Sequence, residues 1–243
     1  MNVIRTAWLI ARKDLIVEAR SRELAYTTLF FSVACVLVFA FAFIQDGRSL
    51  DMARTDSAAG AVMPISVSDA AAGILWVAVA FSGTLALGRA FERERQGETL
   101  RALLLAPSER AGIYLGKLAG MLLLMVGVEI VLVPVVGLLF GAPIARAPFL
   151  LGGLLVAGTV GFAGVGTLFA AMLIRAHSRD VLLPVLLYPI TVPVIIAGVR
   201  GTAAIFGAEP NLEAAATWLS MLVFFDAVFV TLALWTFGPV MTE

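Results

Sequence analysis

Six apolar stretches, each near the ~20 residues that cross a bilayer, divide the chain at roughly 24–44, 70–88, 113–140, 149–174, 181–199 and 214–237. The longest, 113–140, must tilt or extend past the hydrocarbon. Ahead of them, residues 2–23 alternate apolar and charged positions at helical spacing. Val3, Ala7, Ile10 and Leu15 lie near one face, with Trp8 and Leu9 beside them. Arg5, Arg12, Lys13, Glu18, Arg20 and Arg22 fill the rest. This predicts an amphipathic helix in the membrane interface, basic residues toward anionic headgroups, because the segment leads directly into the first span. The pattern as a whole predicts an all-α membrane protein: one domain over 1–243, with six transmembrane helices behind an interfacial helix.

The break in this pattern is residues 89–117, RAFERERQGETLRALLLAPSERAGIYLGK, the largest charge cluster in the chain. Within it, 98–105 (ETLRALLL) puts Leu100, Leu103 and Leu104 on one helical face. Ala106 precedes Pro107 and is pushed out of the helical region, so the short helix stops there. Ser108 can cap the next helix, with Glu109 in its first turn. A short amphipathic helix across the mouth of a helix pair is a docking element; the plainer alternative is a loop whose leucines touch the protein's own surface. The link between spans four and five, 175–180 (RAHSRD), is expected on the same side and is the next candidate contact, with Arg175 and Arg179. His177 reads as a loop residue.

Composition supports membrane insertion and narrows the chemistry. Of 243 residues, 61% are hydrophobic and 14% charged, against about 25% charged in a soluble domain. Net charge is zero, so no overall field favours nucleic acid. The single cysteine, Cys35, cannot form an intrachain disulfide, and one histidine excludes bis-histidine heme ligation within the chain. The start does not read as a cleavable signal, because Arg12, Lys13 and Asp14 interrupt its apolar run. With the N-terminus inside, 13 of the 17 Lys and Arg fall on the cytoplasmic side: five before span one, six in 89–117 and two in 175–179. Arg48, Arg54, Arg146 and Arg200 fall outside. The positive-inside bias therefore predicts both termini in the cytoplasm.

Within the spans, three features carry information. Glu129 and Asp226 are intramembrane carboxylates, which are costly and usually face a bundle interior. They are either functional or protonated hydrogen-bonding groups, with no basic residue inside a span to pair with them. Span four sets Gly153, Ala157 and Gly161 at four-residue spacing, so a close helix neighbour is expected, within one subunit or between two. Span five holds Pro184, Pro189 and Pro193, each of which removes a backbone donor, so a bend is expected. The tryptophans Trp8, Trp76, Trp218 and Trp235 are expected mostly at membrane edges. The outer segment 45–69 reads as a surface loop. Segment 200–213 has an apolar centre at 203–206 that could dip into the membrane edge. No GxxxxGK(S/T) motif is present, so the chain binds no nucleotide through a P-loop.

Several stretches together resemble one family: 73–76 (GILW), 82–87 (SGTLAL), 89–95 (RAFERER), 97–100 (GETL), 103–107 (LLLAP), 116–117 (GK) and 182–194 (LLPVLLYPITVPV). On these the chain resembles the heme exporter protein B (CcmB) family, ABC-2-type permeases of ABC transporters that serve cytochrome c maturation. The similarity runs from about residue 11 to 237 and is most specific in the central block. Ala72 stands where the family often has Pro, and the 45–69 loop is longer than expected. The resemblance implies a homodimer of this subunit in a bacterial inner membrane, seated on a CcmA-like ATPase dimer with CcmC-like and CcmD-like subunits alongside. The ATP-driven step would release the heme-loaded chaperone CcmE. Heme and ATP would be handled by partner subunits and no cofactor bound by this chain, which would be non-catalytic and transmit force. Coupling to the ATPase would run through Glu98, Leu100, Arg101, Leu103 and Leu104, with Arg175 and Arg179. The alternatives are an ABC-2 permease exporting lipid or drug, an ATP-independent scaffold, and a secondary transporter using Glu129 and Asp226.

Overall fold

The computed structural model describes residues 3–53, 67–96, 110–173 and 178–240. Among the described residues the α-helices are α1 (Val3–Ser21), α2 (Glu23–Ala53), α3 (Val67–Gln96), α4 (Arg110–Phe140), α5 (Pro148–Met172), α6 (Arg179–Phe206) and α7 (Leu212–Val240). A 3-10 turn, Ile144–Arg146, joins α4 to α5, and no strand occurs among the described residues. Six helices, α2 to α7, are long and apolar enough to cross a membrane. The fold is thus all-α, as the hydrophobic pattern requires.

The corners follow from local chemistry. Arg22 adopts a left-handed conformation (φ 54°) between α1 and α2, and the Glu18 carboxylate accepts a hydrogen bond from the Ala25 backbone N–H at 2.8 Å. One of the orphan donors at the start of α2 is satisfied from the preceding helix. Gly141 (φ +64°) follows the last residue of α4, where only a residue without Cβ takes the left-handed stop cheaply. Pro148 opens α5, where its missing N–H costs nothing. Asn211 caps α7 by accepting from the Ala214 N–H at 2.8 Å.

Helices α3 and α5 are the most enclosed spans. α3 touches α2, α4, α5 and α6; α5 touches α3, α4, α6 and α7; α1 lies along α4 and meets α2. The seat between α3, α5 and α6 is filled by Trp76, 2% exposed, whose indole lies against Gly158 and Gly198. Its Nε1 donates to Thr202 Oγ1 at 2.9 Å. Trp76 is therefore a core residue and not at a membrane edge. Its bulk is accommodated by two glycines on other helices, and its one polar atom has a partner.

Two further expectations change. Segment 203–206 does not dip back: α6 continues through Arg200 to Phe206, because Ile205 and Phe206 are buried and Gly201 fits closely against Leu154 and Trp218. The chain then reverses over 207–211, tied by Asn211 N–H to Ala204 O at 2.9 Å. Likewise α2 extends past the expected span end into the stretch read as loop, to Ala53. Pro184, Pro189 and Pro193 all lie inside α6, which runs on as one helix.

Candidate functional site

The two intramembrane carboxylates lie on different helices and are separated by α5. Glu129 sits on α4, buried at 4% exposed, between Met125 and Leu132, which are buried in turn. Its Oε1 accepts a short hydrogen bond from the Thr159 hydroxyl of α5. Asp226 sits on α7 and faces Gly161 of α5: a Cβ added at Gly161 would come within 2.6 Å of its Oδ1. That oxygen is buried without a hydrogen-bond partner among the described residues. Positions 159 and 161 are about 200° apart around a helix. α5 therefore presents a hydroxyl to one carboxyl and a bare backbone to the other. Neither carboxyl has an ion pair among the described residues. Glu129 is a clasp between α4 and α5, while Asp226 is a polar group held against a surface that offers it no donor.

Gly161 explains half of the small-residue pattern in span four. Gly153 approaches Leu219 of α7, Gly158 approaches Trp76, and Gly166 meets Leu87 of α3. Above them, Tyr114 of α4 is fully buried and donates to the Gly164 carbonyl at 3.0 Å. Thr84 of α3 and Tyr188 of α6 pair their hydroxyls at 3.2 Å.

The end of the molecule that gathers most basic residues has a different construction. α1 rests on a glycine ladder in α4, Gly112, Gly116 and Gly120. A Cβ at Gly112 would meet Thr6 Cβ at 2.9 Å, one at Gly116 would meet Ile10 Cβ at 2.7 Å, and one at Gly120 would meet Asp14 Cβ at 3.5 Å. Beside the ladder, Lys117 Nζ bonds Asp14 Oδ2 at 2.7 Å, with side chains 9% and 27% exposed. Lys13 pairs with the other Asp14 oxygen at 3.0 Å. Arg110 donates to the Gly238 carbonyl at 2.8 Å, joining α4 to α7, and Arg89 lies 3.8 Å from Glu23. At the opposite end, among the described residues, Arg146 donates to the Gly207 carbonyl at 2.6 Å.

Glu98, Leu100, Arg101, Leu103, Leu104 and Arg175 lie outside the described residues, as does His177. Arg179 begins α6. Lys117 belongs in sequence both to the charged stretch 89–117 and to the apolar run 113–140; the structure sets it on the buried side of α4, so one span does hold a basic residue, and its partner is Asp14 of α1 rather than either intramembrane carboxylate. Sequence reading passed over GxxxGxxxG at 112–120, the same small-residue spacing it noted in span four. That repeat was the available signal for where α1 docks.

These features define a multi-pass α-helical membrane protein whose polar contacts hold helices together. The CcmB protein family matches residues 5–241, and the chain belongs to that family. The chain is similar to heme exporter protein B of Paracoccus denitrificans (strain Pd 1222), with 34% identity over 179 residues, covering 71% of this chain and 76% of that protein.

Proposed function

We propose that this chain is the membrane subunit of an ATP-driven complex for cytochrome c maturation, and that it couples a partner's ATP hydrolysis to heme handling. The observation that carries the reading is the CcmB match across nearly the whole chain, residues 5–241, with a relative named as a heme exporter. The chain itself has no P-loop, so the nucleotide is bound by a CcmA-like ATPase dimer and this subunit is non-catalytic. It acts as a homodimer with CcmC-like and CcmD-like subunits. Its output is release of the heme-loaded chaperone CcmE, and heme is not ligated by this chain. It resides in a bacterial inner membrane with both termini in the cytoplasm, as supported by the bias of Lys and Arg.

Force enters through Glu98, Leu100, Arg101, Leu103 and Leu104, with Arg175 and Arg179 as a second contact. Support comes from what brackets the first segment in sequence: α3 runs to Gln96 and α4 starts at Arg110, and both belong to the buried bundle. A push on the intervening stretch is thereby transmitted to Trp76 and Glu129. Deletion of the gene followed by heme staining of c-type cytochromes tests the reading. Loss of covalent heme is expected, and normal cytochromes would overturn it. In the L103D/L104D variant, charges introduced into the apolar contact cost several kcal/mol against docking. Membrane insertion is expected to persist while co-purification with the ATPase is lost.

A further inference from the structure

A groove of about 620 Å3 runs between α1, α2 and α4, with Ala90 and Phe91 of α3 also lining it, within the roughly 300–1,000 Å3 of ordinary small-ligand sites. Its two halves differ in chemistry. The bed, on the membrane-spanning parts of α2 and α4, is apolar and includes Leu24, Leu29, Met121, Leu124 and Val128. The mouth, at the α1 side, carries Lys13, Arg22, Lys117, Asp14 and Glu18. Both acids there are engaged. Asp14 bonds Lys117 and Lys13, and Glu18 caps α2 through Ala25. The mouth therefore has one net positive charge, and Arg22, left-handed at the corner, has an exposed side chain whose Nε donates to the Ala19 carbonyl at 3.4 Å.

We propose that this groove is a binding site for one membrane phospholipid, with its phosphate at Arg22 and an acyl chain along the α2–α4 bed. Charge complementarity selects the occupant. A cationic mouth set directly above an apolar trough, on helices that cross a bilayer, matches a molecule with a phosphate on a hydrocarbon chain. An extended peptide would bring backbone donors and acceptors into a bed that has no partners for them. The site would fix α1 to the span pair through a lipid as well as through the glycine ladder. The proposal does not depend on the role in heme handling.

Gly127 supplies a clean test. It lines the groove, and a Cβ added there meets nothing within 4 Å, so a side chain can start into the groove from this position without a backbone clash. The purified full chain is titrated with dioleoylphosphatidylglycerol and, separately, with dioleoylglycerol, and bound lipid is counted by native mass spectrometry. The wild type is expected to retain one phosphatidylglycerol in preference to the uncharged lipid. Gly127→Phe is expected to lose that lipid with an unchanged melting temperature; Gly127→Leu is the milder second variant. Arg22→Gln should weaken phosphatidylglycerol by about fivefold and leave dioleoylglycerol unchanged. Undiminished phosphatidylglycerol binding in both Gly127 variants overturns the proposal. So does a wild type without preference between the two lipids. Loss of self-association in Gly127→Phe with lipid binding intact would make the groove an interface between copies of the chain, and would equally overturn it.

Discussion

The α1–α4 seam and the α5-centred bundle use the same backbone device and lock it with opposite chemistry. In both, glycines on one helix allow close approach: Gly112, Gly116 and Gly120 under α1, four residues apart; Gly158 and Gly166 against Trp76 and Leu87, eight apart. Small residues are favoured at such contacts because burying apolar side chains gains little when the solvent is itself hydrocarbon. The locks then diverge. At the α1 seam the lock is an ion pair, Lys117–Asp14, with Asp14 still 27% exposed. Deep in the bundle the locks are uncharged donors: Thr159 to Glu129, Trp76 to Thr202, Tyr114 to the Gly164 carbonyl. Distance from water explains the choice. A lysine at the edge can be compensated by a carboxylate and by solvent, whereas an ion pair at the bundle centre would bear the full desolvation cost.

This comparison predicts an order of sensitivity. The largest effect belongs to Gly158→Leu, which drives a side chain into the buried Trp76 ring. It should destabilise the chain by about 3 kcal/mol or more, read as a collapse of the melting temperature in detergent. A variant melting like wild type would show that the indole seat is not tight. Next comes Lys117→Met, which takes the more buried of its two cations from Asp14 and leaves it only Lys13. Discounted for the partial exposure of Asp14, the loss should be about 2 kcal/mol. The double variant Asp14→Asn/Lys117→Met should recover part of it in a double-mutant cycle, and strict additivity would show that the pair is not coupled.

Gly116→Ala comes third. The new methyl meets Ile10 Cβ and the Ala7 carbonyl, so α1 should loosen at a cost of about 1–2 kcal/mol. Limited proteolysis should cut within α1 while the span core stays intact. If α1 stays as protected as in wild type, the ladder does not hold it. The smallest effect separates the deep locks from a role for charge. Thr159→Val removes the only donor to Glu129 among the described residues and should cost about 1 kcal/mol. Glu129→Gln keeps an acceptor for Thr159 and should cost less. A Glu129→Gln chain that is as stable as wild type but inactive in cytochrome maturation would show that this carboxyl does more than clasp two helices.

The sequence alone determined the six apolar spans, the membrane class and the family, because each rests on local information. A run of apolar residues must form a helix in lipid, where the backbone has no other hydrogen-bond partner. The motif blocks at 73–107 and 182–194 are read directly. It also marked Glu129 and Asp226 as unusual, since a carboxylate in an apolar run is visible without a structure. Tertiary structure decided what those residues meet. Nothing in the sequence around Trp76 shows that Gly158 and Gly198, far along the chain, open a seat for it. Nothing around Asp226 shows that it faces a glycine while Glu129 faces a threonine. Lys117 looks like the end of a charged loop until α1 folds back and sets Asp14 beside it. In a membrane every span is apolar on most of its surface, so hydropathy cannot say which face turns inward. The approach of small residues and a few long-range hydrogen bonds decides it, and these exist only once the helices are side by side.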